Sequence, residues 1–327
     1  MSEARLPGNE LPLVSVIMAA YNCERYVGEA VESICAQTYP NWELIVVDDA
    51  SSDATPAVVT DKAVSEPRVR LIRMARNVGC FPARNRAVAE ARGEFIAVLD
   101  ADDIAFPDRL THTLQKMQAA PELGLVGSLA LLVDEEGTVF GARPQRDPSE
   151  EHVQKMIARG KTTFVHSSYC MRAEVLRELG GYDEFFRYAG DEDLLLRFDA
   201  HSSVGYIPEA LVAYRHRRGQ ITMAKRAEQM AYARAAFERY RKAMVGDELD
   251  LEREYARQLK WVMLREGMHS AVMYEHYANG LLLLSRGQSR EAKAELAQAL
   301  REGPWSPRVW IRWLQASLRS AYSRSTS

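Results

Sequence analysis

No apolar run in the chain approaches the ~18 residues that a membrane-spanning helix needs, so a bundle of such helices is excluded. Cysteine is sparse. The four residues (Cys23, Cys35, Cys80, Cys170) show neither C-x-x-C nor zinc-finger spacing, and read as reduced thiols rather than a disulfide framework or a metal knot. Charge of one sign is also lacking: the formal net charge of −3 over 327 residues offers nothing to a nucleic-acid backbone. The N-terminus mixes Glu3, Arg5 and Glu10 ahead of a short apolar run, which does not fit a secretory leader, and the chain reads as cytoplasmic. Dinucleotide binding is excluded as well, because no G-x-G-x-x-G follows the first apolar run.

What is present has the composition of a globular protein, with 47% apolar and 27% charged residues. From residue 13 onward the pattern alternates. Apolar runs at 13–20 (with one serine), 44–47 and 95–99 predict buried strands, Val69-Arg70-Leu71-Ile72 reads as a further strand, and helical spacing falls at 24–36, 53–65 and 82–92. Asp53 is placed to cap the second of these helices, and Pro107 suits the first turn of a fourth. The rhythm predicts an α/β fold with a largely parallel sheet flanked by helices. After about 120 it loosens into β-like runs at 123–133, 138–142, 163–170 and 203–214, with helices near 149–159, 172–179 and 192–201. Beyond 224 it turns almost wholly helical.

Two of the strands discharge into carboxylates. Leu44-Ile45-Val46-Val47 runs into Asp48-Asp49-Ala50-Ser51-Ser52-Asp53, and Phe95-Ile96-Ala97-Val98-Leu99 into Asp100-Ala101-Asp102-Asp103. Ligands of open α/β sheets bind beyond the carboxyl ends of the strands. Buried charge there needs a compensating cation or ligand. Paired carboxylates are hard oxygen donors suited to Mg²⁺ or Mn²⁺ shared with substrate phosphates. The competing reading makes the same acids helix caps and solvated turn residues.

Together with Val14-Ser15-Val16-Ile17-Met18-Ala19-Ala20-Tyr21-Asn22, Gln37-Thr38-Tyr39 and Gly93-Glu94, these segments make residues 13–110 resemble the nucleotide-sugar half of a family 2 glycosyltransferase with the GT-A fold. A weaker likeness continues through His166-Ser167-Ser168, Gly180-Gly181-Tyr182-Asp183 and Asp191–Arg197 to Pro208 and Tyr214-Arg215. The resemblance implies an N-terminal tail (1–12), a catalytic domain over 13–223 with donor and acceptor halves meeting near 110, and a helical extension over 224–327. It implies transfer of a sugar from a UDP-, GDP- or dTDP-linked donor to a hydroxyl of a glycan or lipid-linked acceptor. Carried over, Tyr21 flanks the nucleobase with Ala19 lending backbone contacts, and Asp49 accepts from a base N–H. Arg84 faces the diphosphate, Asp100 lies near the ribose or sugar, and Asp102 ligates Mg²⁺ or Mn²⁺. For Arg84 a solvated helix arginine is the alternative. Asp191, six residues before Arg197, is the base expected of an inverting transfer, with Glu192 and Asp193 in reserve because Gly190 stands where relatives commonly carry glutamate. Helix capping competes for Asp191, and structural roles for His166 and His216. No Q-x-x-R-W follows Asp191, which points to a single addition rather than processive synthesis.

Residues 276–300 resemble one tetratricopeptide-like hairpin. The tail beyond it interleaves Trp305, Arg308, Trp310, Arg312, Trp313, Leu314, Leu318 and Arg319. That mixture suits either the inner membrane surface or packing on the protein itself. Two other functions compete: a degenerate transferase serving as an adaptor, and a phosphatase, since Val98-Leu99-Asp100-Ala101-Asp102 also resembles the haloacid-dehalogenase nucleophile motif. In the latter, the position two residues after the second aspartate holds Ile104 where Thr or Val is usual.

Overall fold

The computed structural model describes residues 11–143, 149–160, 164–217, 225–266, 276–277, 279–280, 283–284, 288–302 and 309–317. Among these the chain divides into two compact units. One takes in the chain up to Val133, Gly141–Glu184 and Arg197–Arg215. The other takes in Asp134–Phe140, Phe185–Leu196 and the chain from His216 onward.

The first unit is built on one nine-stranded sheet. Its first part is β1 (Val14–Ala20), α1 (Val27–Cys35), β2 (Trp42–Asp48), α2 (Thr55–Ser65), β3 (Val69–Arg73), α3 (Cys80–Glu90) and β4 (Phe95–Val98). Strands β3, β2, β1 and β4 lie side by side in that order, all parallel. Every residue of β2 and β4 is buried, as continuous apolar runs require when helices cover both faces of a sheet. Asp53 holds α2 from just outside it, one oxygen accepting the Thr55 N–H (3.0 Å) and the other the Glu24 N–H (3.1 Å).

The sheet then changes character. After β5 (Ile104–Ala105) and α4 (Arg109–Ala119) come β6 (Leu123–Val133), β7 (Val139–Arg143), α5 (Glu150–Ile157), β8 (Cys170–Arg172), α6 (Ala173–Glu178), α7 (Gly190–His201) and β9 (Ser203–Arg215). Beyond β4 the order is β8-β6-β9-β5, with β8 antiparallel to both β4 and β6, and β9 parallel to β6. The expected strand at 163–170 is instead a 3₁₀ turn at His166–Ser168 leading into three residues of β8. Its serines fold back locally, Ser168 Oγ donating to the Val165 carbonyl at 2.7 Å, which breaks the extended path.

One buried polar group fixes the start of the parallel part. Glu43 of β2 is 2% exposed and accepts the Ser15 hydroxyl (2.7 Å), the Arg92 N–H (2.9 Å) and the Arg92 guanidinium (3.0 and 2.7 Å). Gly93 follows because a Cβ there would lie 2.6 Å from the Ser15 nitrogen.

The second unit holds α8 (Arg226–Ala243), α9 (Leu251–Glu266) and α10 (Ser289–Glu302), and residues 309–317 are helical as well. Tyr232 of α8 stacks on Tyr255 of α9 with centroids 4.1 Å apart. At Gly280 a Cβ would come 2.5 Å from Leu296, so the small residue lets the chain approach α10 closely. Val309 and Ala316 are buried in a cluster with Ala292, Leu296 and Ala299, against which Trp313 packs. Trp310, Ile311 and Leu314 are exposed. Trp305, Arg308, Leu318 and Arg319 lie outside the described residues.

Burial opposes ionisation of Glu43, but the Arg92 and Ser15 hydrogen bonds outweigh it and hold the carboxyl below its usual value. A folded pKa below the unfolded one stabilises at neutral pH, and that stability is lost as pH falls through the folded pKa. Glu43→Gln should therefore lower Tm at pH 7 by roughly 3–8 °C. In thermal scans across pH, the gap to wild type should close below about pH 4.

Candidate active site

The turns after β1 and β2 lie side by side because the strands do. Asn22 and Ala50, neither of them glycine, sit there at φ 47° and 61°, a left-handed conformation that costs energy. The turns hold each other: the Asn22 N–H donates to Ser51 Oγ (2.9 Å) and the Ser52 N–H to Asn22 Oδ1 (2.9 Å). Ala19 is half-buried near the end of β1, and Tyr21 stands 49% exposed just beyond it.

The two acids ending β2 have different partners. Asp48 is fully buried, accepts the Ser51 N–H (3.3 Å) and pairs with Arg73 (3.4 Å). Asp49 accepts the N–H groups of Val78 and Gly79, both at 2.8 Å, one on each oxygen. Burial pushes its carboxyl above the ordinary range in spite of those two amides. Each oxygen retains a lone pair for a further donor.

On the other side of β1, β4 leads into the triple-acid segment. Asp100, with a quarter of its side chain exposed, is ion-paired at 2.5 Å with Arg84 of α3. The solvated alternative for Arg84 is thus overturned: it is 6% exposed, with Nε lacking a hydrogen-bond partner among the described residues. Burial resists the charge on Asp100, yet the Arg84 guanidinium holds the carboxyl below its usual value. His166 lies with Nδ1 3.8 Å from Asp100 and Nε2 2.8 Å from the Tyr182 hydroxyl. Burial, reinforced by Arg84, drives its pKa down to about 3, so the ring is neutral at pH 7.

Asp102 is half-buried, and its main-chain carbonyl accepts from Arg215 Nε at 2.9 Å. Asp103 faces inward, 1% exposed, and accepts the Arg215 N–H (2.8 Å) and the Ser167 hydroxyl. Ser167 Oγ accepts in turn the Asp100 N–H at 3.1 Å. Arg215 reaches on to Glu29 at 2.7 Å. Beneath β4, the fully buried Arg109 donates to the carbonyls of Val98 (2.6 Å) and Tyr169 (3.3 Å). Burial lowers its pKa to about 10. Asn85, Arg109, Ser167 and Arg215 carry no assigned role in the sequence reading. Their signal would have been a polar residue inside an otherwise apolar helix face or strand end.

Asp191 is the second residue of α7, inside its first turn rather than at the cap, and half-buried. It belongs to the second unit, where Asp193 is buried and ion-paired with Arg239. His216 meets Phe140 edge-on in that same unit, with centroids 5.3 Å apart.

Among the described residues no group of three or more His, Cys, Asp or Glu side chains could by itself hold a metal ion. A donor set of one or two carboxylates, leaving further positions to phosphate oxygens and water, suits Mg²⁺ or Mn²⁺ and does not suit zinc. The residues present therefore fit the ion expected with a diphosphate.

A sheet of this order, with acids at the ends of β2 and β4, is the GT-A fold of nucleotide-sugar transferases. The mannosyltransferase PcManGT from Pyrobaculum calidifontis, solved in complex with GDP-Man and Mn²⁺, superposes with a TM-score of 0.57 at 22% identity, over 97% of this chain and 81% of that one. S. aureus TarS 1-349 in complex with UDP-GlcNAc gives 0.56 at 15% identity, over 95% and 92%. Residues 15–180 match the family model described as glycosyl transferase family 2, and the chain belongs to that family. EpsE of Bacillus subtilis (strain 168), which carries a glycosyltransferase name, is 38% identical over 211 residues, covering 63% of this chain and 74% of that protein. The succinoglycan biosynthesis protein ExoO of Rhizobium meliloti (strain 1021) is 36% identical over 197 residues, covering 60% and 54%. The chain is a glycosyltransferase, which displaces the phosphatase reading.

Arg84 and Asp100 satisfy each other, so removing one partner strands a poorly solvated charge. Arg84→Met should cost about 2–4 kcal/mol in urea unfolding. The double variant Arg84→Met/Asp100→Asn should recover at least about 1 kcal/mol of that loss.

Proposed function

We propose that the protein is a metal-dependent, inverting enzyme that adds a single sugar from a nucleoside diphosphate donor to a hydroxyl of a glycan or lipid-linked acceptor, as in cell-surface polysaccharide synthesis. The observation that carries the donor half of this reading is that Asp49 and the Asp100–Asp102 segment follow the carboxyl ends of β2 and β4, the two strands flanking β1, and that α3 reaches both, through the Gly79 N–H and Arg84. Residues 13–223 form the catalytic domain in this reading and 224–327 its helical extension.

Tyr21 offers an exposed ring to the nucleobase beside the main chain of Ala19, and Asp49 accepts a ring N–H with its remaining lone pairs. Arg84 brings a fixed positive charge close to the diphosphate and keeps Asp100 ionised for a donor hydroxyl. Asp102 holds Mg²⁺ or Mn²⁺. When bound, that ion neutralises charge developing on the departing diphosphate. Asp191 takes the proton of the acceptor hydroxyl as its oxygen attacks the anomeric carbon and the carbon–diphosphate bond breaks. Asp193 is already engaged by Arg239, which favours Asp191 over that neighbour. Mannose on GDP and N-acetylglucosamine on UDP, found with the structural neighbours, are the first donors to try.

Nucleotide sugars should raise Tm only with Mn²⁺ or Mg²⁺ present. Asp102→Ala should lose that metal-dependent shift. Asp191→Asn should keep it and lose transfer by at least about 100-fold. Full transfer by either variant would overturn the role given to that residue.

A peripheral membrane contact belongs to the same proposal. No helix among the described residues is long and apolar enough to cross a bilayer. The helix at 309–317 nonetheless buries one face and leaves Trp310, Ile311 and Leu314 at 43%, 56% and 50% exposure. Residues 303–327 carry four arginines and no acid, which complements anionic lipid. The protein should float with vesicles containing phosphatidylglycerol and not with phosphatidylcholine alone. Trp310→Ser/Leu314→Ser should abolish flotation, and its persistence would refute this contact.

A further inference from the structure

Helix α3 reaches more of the site than its sequence suggests. At its start the Gly79 N–H donates to Asp49, and one turn later Arg84 pairs with Asp100. The next residue, Asn85, points to another partner. Its Nδ2 donates to the Tyr182 carbonyl (2.8 Å), and its Oδ1 accepts the Tyr182 N–H (2.8 Å). A primary amide carries a donor and an acceptor side by side, so it can grip a peptide unit as a neighbouring strand would. Here the grip spans 97 positions of sequence. Gly181, at φ 73°, makes room for it: a Cβ there would lie 2.7 Å from Asn85 Oδ1. Phe81 of α3 also stacks on the Tyr182 ring, with centroids 5.4 Å apart.

The same turn is held from its other end. Arg197 of α7 donates to the carbonyls of Leu179 (2.9 Å) and Gly181 (2.8 Å). The turn at 179–184 is therefore fixed at both ends by side chains that have no part in the donor contacts proposed above. The chain leaving it enters α7 at Gly190, one residue before Asp191.

We propose that Asn85 is a positioning residue for sugar transfer: by clamping the Tyr182 peptide unit to α3 it couples nucleotide occupancy at the start of α3 to the turn at 179–184, from which the chain runs on to Asp191. The kinetic consequence rests on the reading of Asp191 as the base; the structural coupling does not.

The test compares the full chain with Asn85→Ala, using UDP or GDP with Mn²⁺, whichever binds wild type, and the matching nucleotide sugar. Calorimetry gives Kd, nucleotide release gives turnover, and hydrogen exchange follows residues 179–184 with and without nucleotide. In wild type, nucleotide should slow exchange at 179–184. In Asn85→Ala that protection should vanish and turnover should fall by about 10–100-fold, as expected for a misplaced reacting group. Kd should weaken by no more than the factor by which nucleotide slows that exchange in wild type, because the coupling is reciprocal and no donor contact is lost.

Wild-type turnover and protection in the variant would overturn the proposal, as would the absence of nucleotide protection in wild type. Parallel loss of Kd, Tm and turnover would also overturn it, by reducing Asn85 to a fold strut. Should Asn85→Ala not fold, Asn85→Asp/Glu184→Gln takes its place and is read by the same outcomes. The first change keeps the volume and the acceptor for the Tyr182 N–H. The second removes the carboxylate that lies 3.3 Å from Asn85 Nδ2 and would otherwise repel the new acid. Asp191→Asn runs alongside: wild-type turnover there would remove the base assignment, while the exchange result would still decide the role of Asn85.

Discussion

Carboxylates at the tips of buried strands repel one another and resist burial, and the local architecture is the answer to that problem. Asp48, Asp49, Asp100 and Asp103 are compensated in four different ways: an exposed arginine, a pair of main-chain amides, a buried arginine, and a serine hydroxyl with an arginine amide. Each solution brings in a different element. The acids therefore fix where α3, the 3₁₀ turn and the end of β9 must sit, as much as those elements fix the acids.

The arginines do not play interchangeable parts. Arg84 supplies charge directly to Asp100, as a point-to-point pair in a poorly solvated place. Arg215 works mainly through geometry, since its Nε takes the Asp102 carbonyl and its own N–H takes Asp103, with Glu29 absorbing part of its charge. Arg109 has no carboxylate hydrogen-bonded to it among the described residues, and instead holds the carbonyls of Val98 and Tyr169 below the acids. A buried guanidinium with only carbonyl partners is costly, and burial lowers its pKa accordingly. Asp100 and Asp103 offset part of that cost through space.

Much of this was legible in the sequence where the signal is local. Continuous apolar runs located β1, β2 and β4 to within a few residues, because parallel strands covered on both faces leave no polar alternation to confuse the pattern. The acids at their ends were legible for the same reason. What stayed hidden were the long-range partnerships. Helix periodicity puts Arg84 between Phe81 and Val88 on the buried face and Arg86 off it, but nothing in Pro82-Ala83-Arg84-Asn85-Arg86 tells that the inward guanidinium ends on Asp100. The turn at His166–Ser168 read as a strand because its polar residues sit among Val165, Tyr169 and Cys170, and local hydroxyl-to-carbonyl bonding is not a periodic signal. Asn85 and Tyr182 are separated by 97 positions, and a side chain mimicking a strand partner leaves no pattern at either end.

The placement of rigidity and strain also separates roles within the site. Asn22 and Ala50 hold unfavourable backbone angles in the turns beside the exposed Tyr21, where main-chain atoms must be presented outward. The turn at 179–184 reaches comparable angles only through Gly180 and Gly181, at φ 75° and 73°, and so carries little strain of its own. A turn that is cheap to form is also cheap to deform. Main-chain bonds from Gly180 to the Arg177 carbonyl (3.0 Å) and from Gly181 to the Leu176 carbonyl (2.9 Å) hold its start, and side chains outside it hold the rest, Asn85 on one side and Arg197 on the other. The glycines provide the close approach, and the amide and guanidinium provide the definition that glycine lacks.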